Sequence, residues 1–194
     1  YTPEEYFAIE RESDIRHELL DGEVYAMSGA SPDHERIVND VGTSLNLQLR
    51  DGRCEVFGSN LRLKVNKRSY FYGDLSVVCG EPLFVLESGL KSLINPNLII
   101  EVLSPSTAEF DRGEKFLHYQ SIELLQEYVL INQDKPVVEI FTRQPDGKWL
   151  YSAIKGLESS AELESIGCTL QLSEVYRRVQ VEPLEEDIEQ EPGE

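Results

Sequence analysis

Two helices near the start of the chain are predicted by the spacing of apolar residues and by the residues that precede them. The first is expected to begin at Thr2, which can cap a helix and is followed by proline and two glutamates. The second is expected to begin at Ser31, and apolar residues then recur at every fourth position on one face: Ile37, Val41, Leu45 and Leu49. An Asp-Gly pair at residues 51–52 ends this second helix.

Strands are predicted where short apolar or alternating runs lie between turn residues. The Asp-Gly pair at residues 21–22 predicts a hairpin over residues 16–26. Further strands are expected at residues 54–57, 60–65, 70–79, 98–103, 128–132, 137–143 and 149–154. A helix is expected over residues 108–122, a loop over 82–93, and a short helix or strand over 172–179. This order predicts a single α/β or α+β domain, in which helices flank a mixed β-sheet.

The composition is that of a folded protein and argues against several other classes. Of 194 residues, 40% are hydrophobic and 28% are charged, so one domain with a sizeable core is expected. No apolar run approaches the roughly 20 residues of a membrane helix, and no signal segment is expected at the N-terminus. The three cysteines, Cys54, Cys79 and Cys168, are odd in number and widely spaced. This argues against a disulfide framework or a zinc site and favours a reducing cytoplasm, with Cys79 as a buried thiol.

The net charge of −18 argues against a general attraction to polyanions. Seven acidic residues and no basic residue lie between Glu182 and Glu194. We therefore expect a folded domain over residues 1–180 and a disordered acidic tail over residues 181–194. Without those seven charges the net charge is still about −11. This negative charge is therefore an objection to any function in nucleic-acid binding.

Glu101 is the most informative residue of the chain, because it interrupts the apolar run from Leu98 to Leu103. A short run this rich in β-branched residues is typical of a strand that is buried on both faces. Burying a charge there costs several kcal/mol unless the charge is paired or bound to a cation. Glu101 is therefore expected to bind a cation, or else to form a buried ion pair with an arginine or lysine.

Asp74 shares this peculiarity, since it directly precedes the apolar run from Leu75 to Val78. Two neighbouring strands that each carry an acid could place both carboxylates on one hard cation. Mg²⁺ and Mn²⁺ prefer oxygen ligands of this kind. The alternative for Asp74 is an ordinary acid at a turn or at a strand end.

The helix after Glu101 adds a possible cationic partner. Asp111, Lys115 and Tyr119 are four residues apart and therefore share one helix face, from which Lys115 could reach the carboxylates. The alternative is an ordinary surface pair of Asp111 and Lys115. Glu18 is either a further acid of the site or an exposed strand residue, and His34 is either a site residue or a structural histidine.

A basic patch is the candidate surface for a phosphate backbone. In the strand over residues 60–65, Arg62 and Lys64 alternate with apolar residues, and Lys67 and Arg68 follow closely. These four side chains are candidates for phosphate contacts. The alternative is a solvated hairpin face.

Several motifs occur along the chain in a defined order. They are HELLDGEV at residues 17–24, His34, YGDLSVVC at 72–79, IEVLSPST at 100–107, D-x-x-x-K-x-x-x-Y at 111–119 and EY at 127–128. Together they resemble the Uma2 family, also called DUF820, which is expanded in cyanobacteria and belongs to the PD-(D/E)XK nuclease superfamily. The resemblance covers about residues 1–179.

This resemblance implies a restriction-endonuclease-like core, with a mixed four-stranded sheet flanked by helices and additional antiparallel strands. It implies Asp74 and Glu101 as ligands of Mg²⁺ or Mn²⁺, with the carbonyl of Val102 as a third ligand. It also implies Glu18 as an additional acid of the site.

Two positions depart from the pattern of the superfamily. Gly73 stands where proline is expected before the motif aspartate, and Leu103 stands where the (D/E)XK triplet has lysine. In similar members of the superfamily, that lysine has moved to the following helix. Lys115 is the candidate for its role here.

The function implied by the resemblance is endonucleolytic hydrolysis of nucleic acid, with DNA as the expected substrate, by a metal-activated water. Lys115, Glu18 and His34 are the expected catalytic residues, and Tyr119 joins Arg62 and Lys64 as an expected substrate contact. A homodimer in the cytoplasm, with no membrane partner, is expected.

Two alternatives remain open. One is an inactive scaffold or protein-interaction module on a nuclease-like fold, and the other is a metal-dependent hydrolase of another phosphoester. Carboxylates of Asp74 and Glu101 that face a common point would favour the enzyme, whereas an arginine or lysine that fills this point would favour the scaffold.

Overall fold

A computed structural model describes residues 1–184 of the chain. The helices are α1 (Pro3–Glu12), α2 (Pro32–Leu49), α3 (Ala108–Phe110), α4 (Phe116–Tyr119) and α5 (Leu172–Val175), with a π-helical turn at Asp111–Lys115 between α3 and α4. We call residues 108–119 the helical segment. The strands are β1 (His17–Leu20), β2 (Glu23–Ala26), β3 (Cys54–Gly58), β4 (Leu63–Lys64), β5 (Tyr70–Phe71), β6 (Leu75–Cys79), β7 (Phe84–Glu87), β8 (Leu90–Leu93), β9 (Leu98–Leu103), β10 (Glu127–Asn132), β11 (Val137–Arg143), β12 (Trp149–Lys155), β13 (Ser160–Leu163) and β14 (Cys168–Gln171).

The main sheet has six strands in the order β12-β11-β10-β9-β6-β3. Only β9 and β10 are parallel to each other, and the other neighbours are antiparallel. Every residue of β9 is buried, as expected for a central strand with both faces covered. The predicted mixed sheet flanked by helices is therefore confirmed.

The two faces of β9 are covered by different elements because successive side chains point in opposite directions. Ile100 and Val102 pack in one core with α2, the β13–β14 hairpin and α5. Ile99 and Leu103 pack in a second core with the helical segment. Glu101 shares the face of Ile99 and Leu103 and therefore points toward the helical segment.

A second six-stranded sheet has the order β2-β1-β5-β4-β8-β7. Helix α1 packs on it through Tyr6 and Phe7, which contact Leu19 of β1 and Tyr70 of β5. The predicted capping of α1 is confirmed, since the Thr2 side chain accepts a hydrogen bond from the N–H of Glu5 in a capping box. Strand β1 of this sheet places Glu18 next to the main sheet.

The prediction of a loop over residues 82–93 is wrong, because this segment forms the β7–β8 hairpin. Glu87 pairs with Leu90, so the turn has only two residues, Ser88 and Gly89, both with positive φ. A two-residue turn of this kind matches the twist of the flanking strands. The strand predicted over residues 60–65 is shorter in the structure, where it is β4. The sequence pattern does not predict the β13–β14 hairpin.

A disulfide joins Cys54 to Cys79, so the predicted buried thiol at Cys79 and the argument against disulfides are wrong. The two residues are 25 positions apart in the sequence but face each other across the β3–β6 pair, with their Cα atoms 4.0 Å apart. The pairing of the strands decides this proximity, and cysteine spacing alone does not reveal it. Cys168 is the free cysteine and is buried.

The end of the described chain lies against the domain. Val181 packs on the core of α2, and the N–H of Glu182 donates to the carbonyl of Asp134 at 2.7 Å. Most of the predicted tail, residues 185–194, lies outside the described residues. Within residues 1–184, every helix is too short or too polar to cross a membrane.

Candidate functional site

The ammonium group of Lys115 is the centre of a buried cluster of carboxylates. It lies 2.9 Å from Oε1 of Glu101, 3.2 Å from Oε1 of Glu18 and 3.7 Å from Oδ1 of Asp111. The Lys115 side chain is 6% exposed, and the three acids are similarly buried. The main sheet, the second sheet and the helical segment therefore meet at one charged point.

The π-helical turn explains how Asp111 and Lys115 can both point inward. Single π turns widen a helix locally and are frequent at functional sites. Both side chains are buried, and the hydroxyl of Tyr128 donates to the carbonyl of Asp111 at 3.0 Å. Asp111 and Lys115 thus share one helix face, as predicted, and this face is turned to the sheet rather than to solvent.

Glu101 receives two hydrogen-bond donors on the same oxygen. The hydroxyl of Tyr119 donates to Oε1 at 2.9 Å, and the ammonium of Lys115 approaches the same atom. Burial raises the pKa of Glu101 well above its usual range, and Lys115 opposes this shift. Burial also raises the pKa of Tyr119, and the Glu101 charge adds to this effect, so the phenol remains a donor.

Lys115 keeps its charge although it is buried. Burial alone would lower its pKa, but the charges of Glu101, Glu18 and Asp111 together raise the pKa well above the usual range. One ammonium thus faces three carboxyl groups. Burial together with this crowding raises the pKa of Asp111 as well.

Glu18 is held by the backbone of the second sheet. Its Oε1 accepts a hydrogen bond from the N–H of Tyr72 at 2.9 Å. The hydroxyl of Tyr72 in turn donates to Oε2 of Glu10 in α1 at 2.6 Å. Sequence reasoning missed both residues of this support, because nothing in the spacing of Glu10 distinguishes it from a surface acid of an amphipathic helix.

Asp74 lies beside Glu101 and is also held by two donors on one oxygen. Its Oδ2 accepts from the N–H of Val102 at 2.7 Å and from Nε2 of His34 at 3.1 Å. Burial opposes protonation of His34, but the hydrogen bond and charge of Asp74 raise its pKa. The backbone before Asp74 runs close to β9, since a Cβ on Gly73 would lie 3.1 Å from Cγ2 of Ile99.

The structure therefore brings together most residues singled out in the sequence. Seven of them lie in one connected cluster: Glu18, His34, Asp74, Glu101, Asp111, Lys115 and Tyr119. Tyr119, expected as a substrate contact, is fully buried and contacts Glu101 instead. We therefore assign it to the support of the site.

The predicted basic patch is present only in part, because Lys67 and Arg68 are exposed but the other two side chains are engaged elsewhere. Arg62 is 4% exposed, its guanidinium lies over the ring of Phe7, and its Nε donates to Ser92. Lys64 is paired with Glu87, and Arg68 donates to a backbone carbonyl. A buried guanidinium cannot contact a phosphate backbone, so the structure does not support Arg62 as a substrate contact.

Asp74 and Glu101 fit one simple kind of divalent-cation site. Within the described residues, no three His, Cys, Asp or Glu side chains converge as a ready-made metal centre. Mg²⁺, however, is usually held by only one or two carboxylates with water and substrate phosphate. Asp74 and Glu101 match this simpler kind of site, since both side chains offer hard oxygen donors.

The contacts of Lys115 bear on the choice between an enzyme and an inactive scaffold, which the sequence leaves open. Lys115 is paired with Glu101, but no lysine or arginine within residues 1–184 forms an ion pair with Asp74. The cationic side chain therefore neutralises one of the two candidate ligands and leaves the other to His34 and a backbone amide.

Comparisons with known proteins agree with this architecture. The model of the Uma2 family, described as "Putative restriction endonuclease", matches residues 3–188. The chain is 38% identical over 164 residues to the uncharacterized protein sll1609 of Synechocystis sp., covering 84% of this chain and 91% of that protein. It is 36% identical over 180 residues to the uncharacterized protein slr1290 of the same organism, covering 91% of each chain.

One solved structure with the same fold comes from Anabaena variabilis and is described as a putative nuclease belonging to DUF820. It superposes with a TM-score of 0.71 and covers 86% of this chain and 92% of that chain, at 18% sequence identity. At this identity the likeness shows the fold, and not the chemistry.

Proposed function

Because this chain belongs to the Uma2 family of restriction-endonuclease-like proteins, we propose that it is a metal-dependent endonuclease whose substrate is DNA. The observation that carries the proposal is the buried Lys115 ammonium, 2.9 Å from Glu101 on the strand next to Asp74. In the (D/E)XK pattern a lysine follows the glutamate by two positions, where this chain has Leu103. Lys115 supplies the missing ammonium from the helical segment.

We propose that Asp74 and Glu101 hold Mg²⁺ or Mn²⁺, with the Val102 carbonyl as a third ligand. When bound, such an ion would supply an activated water and neutralise charge on the scissile phosphate. The crowding of three carboxyl groups around one ammonium supports this assignment, because an added divalent cation would relieve it.

The side chains have separate tasks in this proposal. Lys115 orients the attacking water and stabilises the negative charge that develops on the phosphate, as a fixed cation does in a dry site. Glu18, from the second sheet, and Asp111, from the same π-helical turn, hold the ammonium in place. His34, through its hydrogen bond to Oδ2, holds Asp74.

The acidity of the chain shapes the expected behaviour of the enzyme. A net charge of −18 repels a polyanion, and the predicted basic patch is present only in part. Binding of nucleic acid is therefore expected to depend on divalent cations at the site. A homodimer stays a prediction from the resemblance, and a cytoplasmic location stays a prediction that the cysteines no longer support, since Cys54 and Cys79 form a disulfide.

A second candidate function has one observation in its favour. Since Lys115 already neutralises part of the cluster, the fold is stabilised at this point by an ion pair and does not need a metal. A catalytically inactive module for protein interaction is therefore the rival. The two differ in whether divalent cations bind and whether DNA is cut.

The test is cleavage of supercoiled plasmid, single-stranded DNA and RNA by the full chain, with Mg²⁺ or Mn²⁺. We expect cleavage of DNA by the wild type and a loss of at least about a hundredfold in Glu101→Gln. The matched control is Glu127→Gln, a carboxylate buried on the adjacent strand that accepts hydrogen bonds from Glu164 and Ser165. This control is expected to cut DNA.

Three results would overturn the proposal. A wild type that is inert with both metals points to the non-catalytic module. Cleavage that is equal in Glu101→Gln assigns the activity to another site or to a contaminant. Hydrolysis of a small phosphodiester with no cleavage of any nucleic acid indicates a hydrolase of another phosphoester.

A further inference from the structure

We propose that Tyr119 and His34 are positioning residues, each of which holds one oxygen of a carboxylate and thereby directs the other oxygen to a divalent cation. Tyr119 acts on Glu101 and His34 acts on Asp74. The inference rests on the proposed function, because it takes these two acids as the cation ligands. It adds an account of how the chain orients these two acids toward the cation.

The first half of the argument is the geometry of Glu101. Both of its donors, the Tyr119 hydroxyl at 2.9 Å and the Lys115 ammonium at 2.9 Å, meet the same oxygen, Oε1. They come from one face of the helical segment, so they fix the carboxylate from one side. Within the described residues Oε2 accepts no hydrogen bond, and it is the oxygen that remains for a cation.

The second half is the same arrangement at Asp74. The N–H of Val102 at 2.7 Å and Nε2 of His34 at 3.1 Å both meet Oδ2. A carboxylate can only accept, so Nε2 is the ring nitrogen that carries the hydrogen. Within the described residues Oδ1 accepts no hydrogen bond, and it is the oxygen that remains.

The two halves are connected through β9. Val102, whose amide holds Asp74, directly follows Glu101, so one donor to Asp74 lies on the same strand as Glu101. A carboxylate with one fixed oxygen cannot rotate freely, and a cation that binds the second oxygen then orders less of the protein. Hydrogen bonds to metal ligands of this kind commonly change metal affinity by tenfold to a hundredfold.

The neighbouring tyrosines show that the contact of Tyr119 is specific. Tyr128 is equally buried but donates to the backbone carbonyl of Asp111, and Tyr176 donates to the carbonyls of Asn132 and Val137. Only Tyr119 among these three donates to a carboxylate of the cluster. Loss of its hydroxyl should therefore change cation binding, whereas loss of the Tyr176 hydroxyl should change stability alone.

The experiment measures Mn²⁺ binding by titration calorimetry and electron paramagnetic resonance with the full chain and no nucleic acid. We expect Tyr119→Phe and His34→Leu each to weaken Mn²⁺ binding by about tenfold to a hundredfold. Tyr176→Phe, the matched loss of a buried hydroxyl, is expected to bind as the wild type does. His34→Gln, whose amide nitrogen can take the place of Nε2, is expected to recover part of the loss.

The outcomes separate this inference from the proposed function. If the wild type binds Mn²⁺ and Glu101→Gln does not, but Tyr119→Phe and His34→Leu bind normally, the positioning roles are wrong and the proposed cation site stands. If the wild type binds no Mn²⁺, both are wrong. Thermal unfolding without metal identifies a variant that fails to fold, and the other of the two variants then decides.

Discussion

Lys115 and Glu101 are joined by a contact of 2.9 Å that connects the helical segment to the central strand of the main sheet. Because their side chains are only 6% and 5% exposed, neither residue can satisfy its charge with solvent at this depth. The contact therefore belongs to the fold as much as to the proposed chemistry. Its removal is expected to affect both stability and cleavage.

Lys115→Met is expected to lower the free energy of unfolding by about 3–5 kcal/mol, because it leaves buried carboxylates without their cation. Urea denaturation measures the loss. The control is Lys64→Met, which breaks the partly exposed pair with Glu87 and should cost only about 0–1 kcal/mol. Equal losses in the two variants would contradict a central role of Lys115 in the charge balance of the cluster.

Leu103 and Glu101 lie on the same face of β9, two positions apart, so a lysine at position 103 would point toward the cluster. The exchange variant Lys115→Leu/Leu103→Lys is therefore expected to cut DNA about tenfold or more faster than Lys115→Leu alone. Plasmid cleavage with Mg²⁺ measures this. If the exchange variant is folded and as slow as Lys115→Leu, the ammonium is needed at the position that only the π-helical turn provides.

Much of the site could be predicted because its residues break local rules. Glu101 is a charge inside an apolar run, and Asp74 opens another such run. The four-residue spacing of Asp111, Lys115 and Tyr119 predicts a shared face, and all three are indeed buried together. What the spacing does not reveal is the π-helical turn, in which the Asp111 carbonyl accepts a hydrogen bond from Tyr128 of β10.

The errors of the sequence reading arise where distant segments decide the outcome. Arg62 alternates with apolar neighbours as a surface residue does, but α1 covers this face and buries the guanidinium against Phe7. Cys54 and Cys79 meet only because β3 pairs with β6 in one register. The Ser88-Gly89 pair is a weaker turn signal than Asp-Gly, so the local sequence predicts a loop where the structure has a hairpin.

Gly73→Ala is expected to lower the free energy of unfolding by about 1–2 kcal/mol, because its Cβ would lie 3.1 Å from Ile99 on β9. It is also expected to weaken Mn²⁺ binding, since the clash displaces the backbone next to Asp74. Gly58→Ala is the control, because a Cβ there has no neighbour within 4 Å. Chemical denaturation and Mn²⁺ titration of both variants check this, and a Gly73→Ala protein as stable as Gly58→Ala would refute it.

The disulfide between Cys54 and Cys79 fixes the edge strand β3 to β6. Reduction is expected to lower the free energy of unfolding by about 2–4 kcal/mol, because the unfolded chain gains freedom. Thiol titration of the denatured, unreduced chain should find Cys168 alone, and three reactive thiols would contradict the pairing.

Reduction is expected to leave Mn²⁺ binding intact. Asp74 directly precedes the first residue of β6, whereas Cys79 is its last residue, and Asp74 is held separately by Val102 and His34. A titration with Mn²⁺ before and after reduction measures this, with the Cys54→Ala/Cys79→Ala variant as a control that reductant should not change. A large loss of Mn²⁺ affinity on reduction would instead show that the β3–β6 pairing, and not the two local donors, positions Asp74.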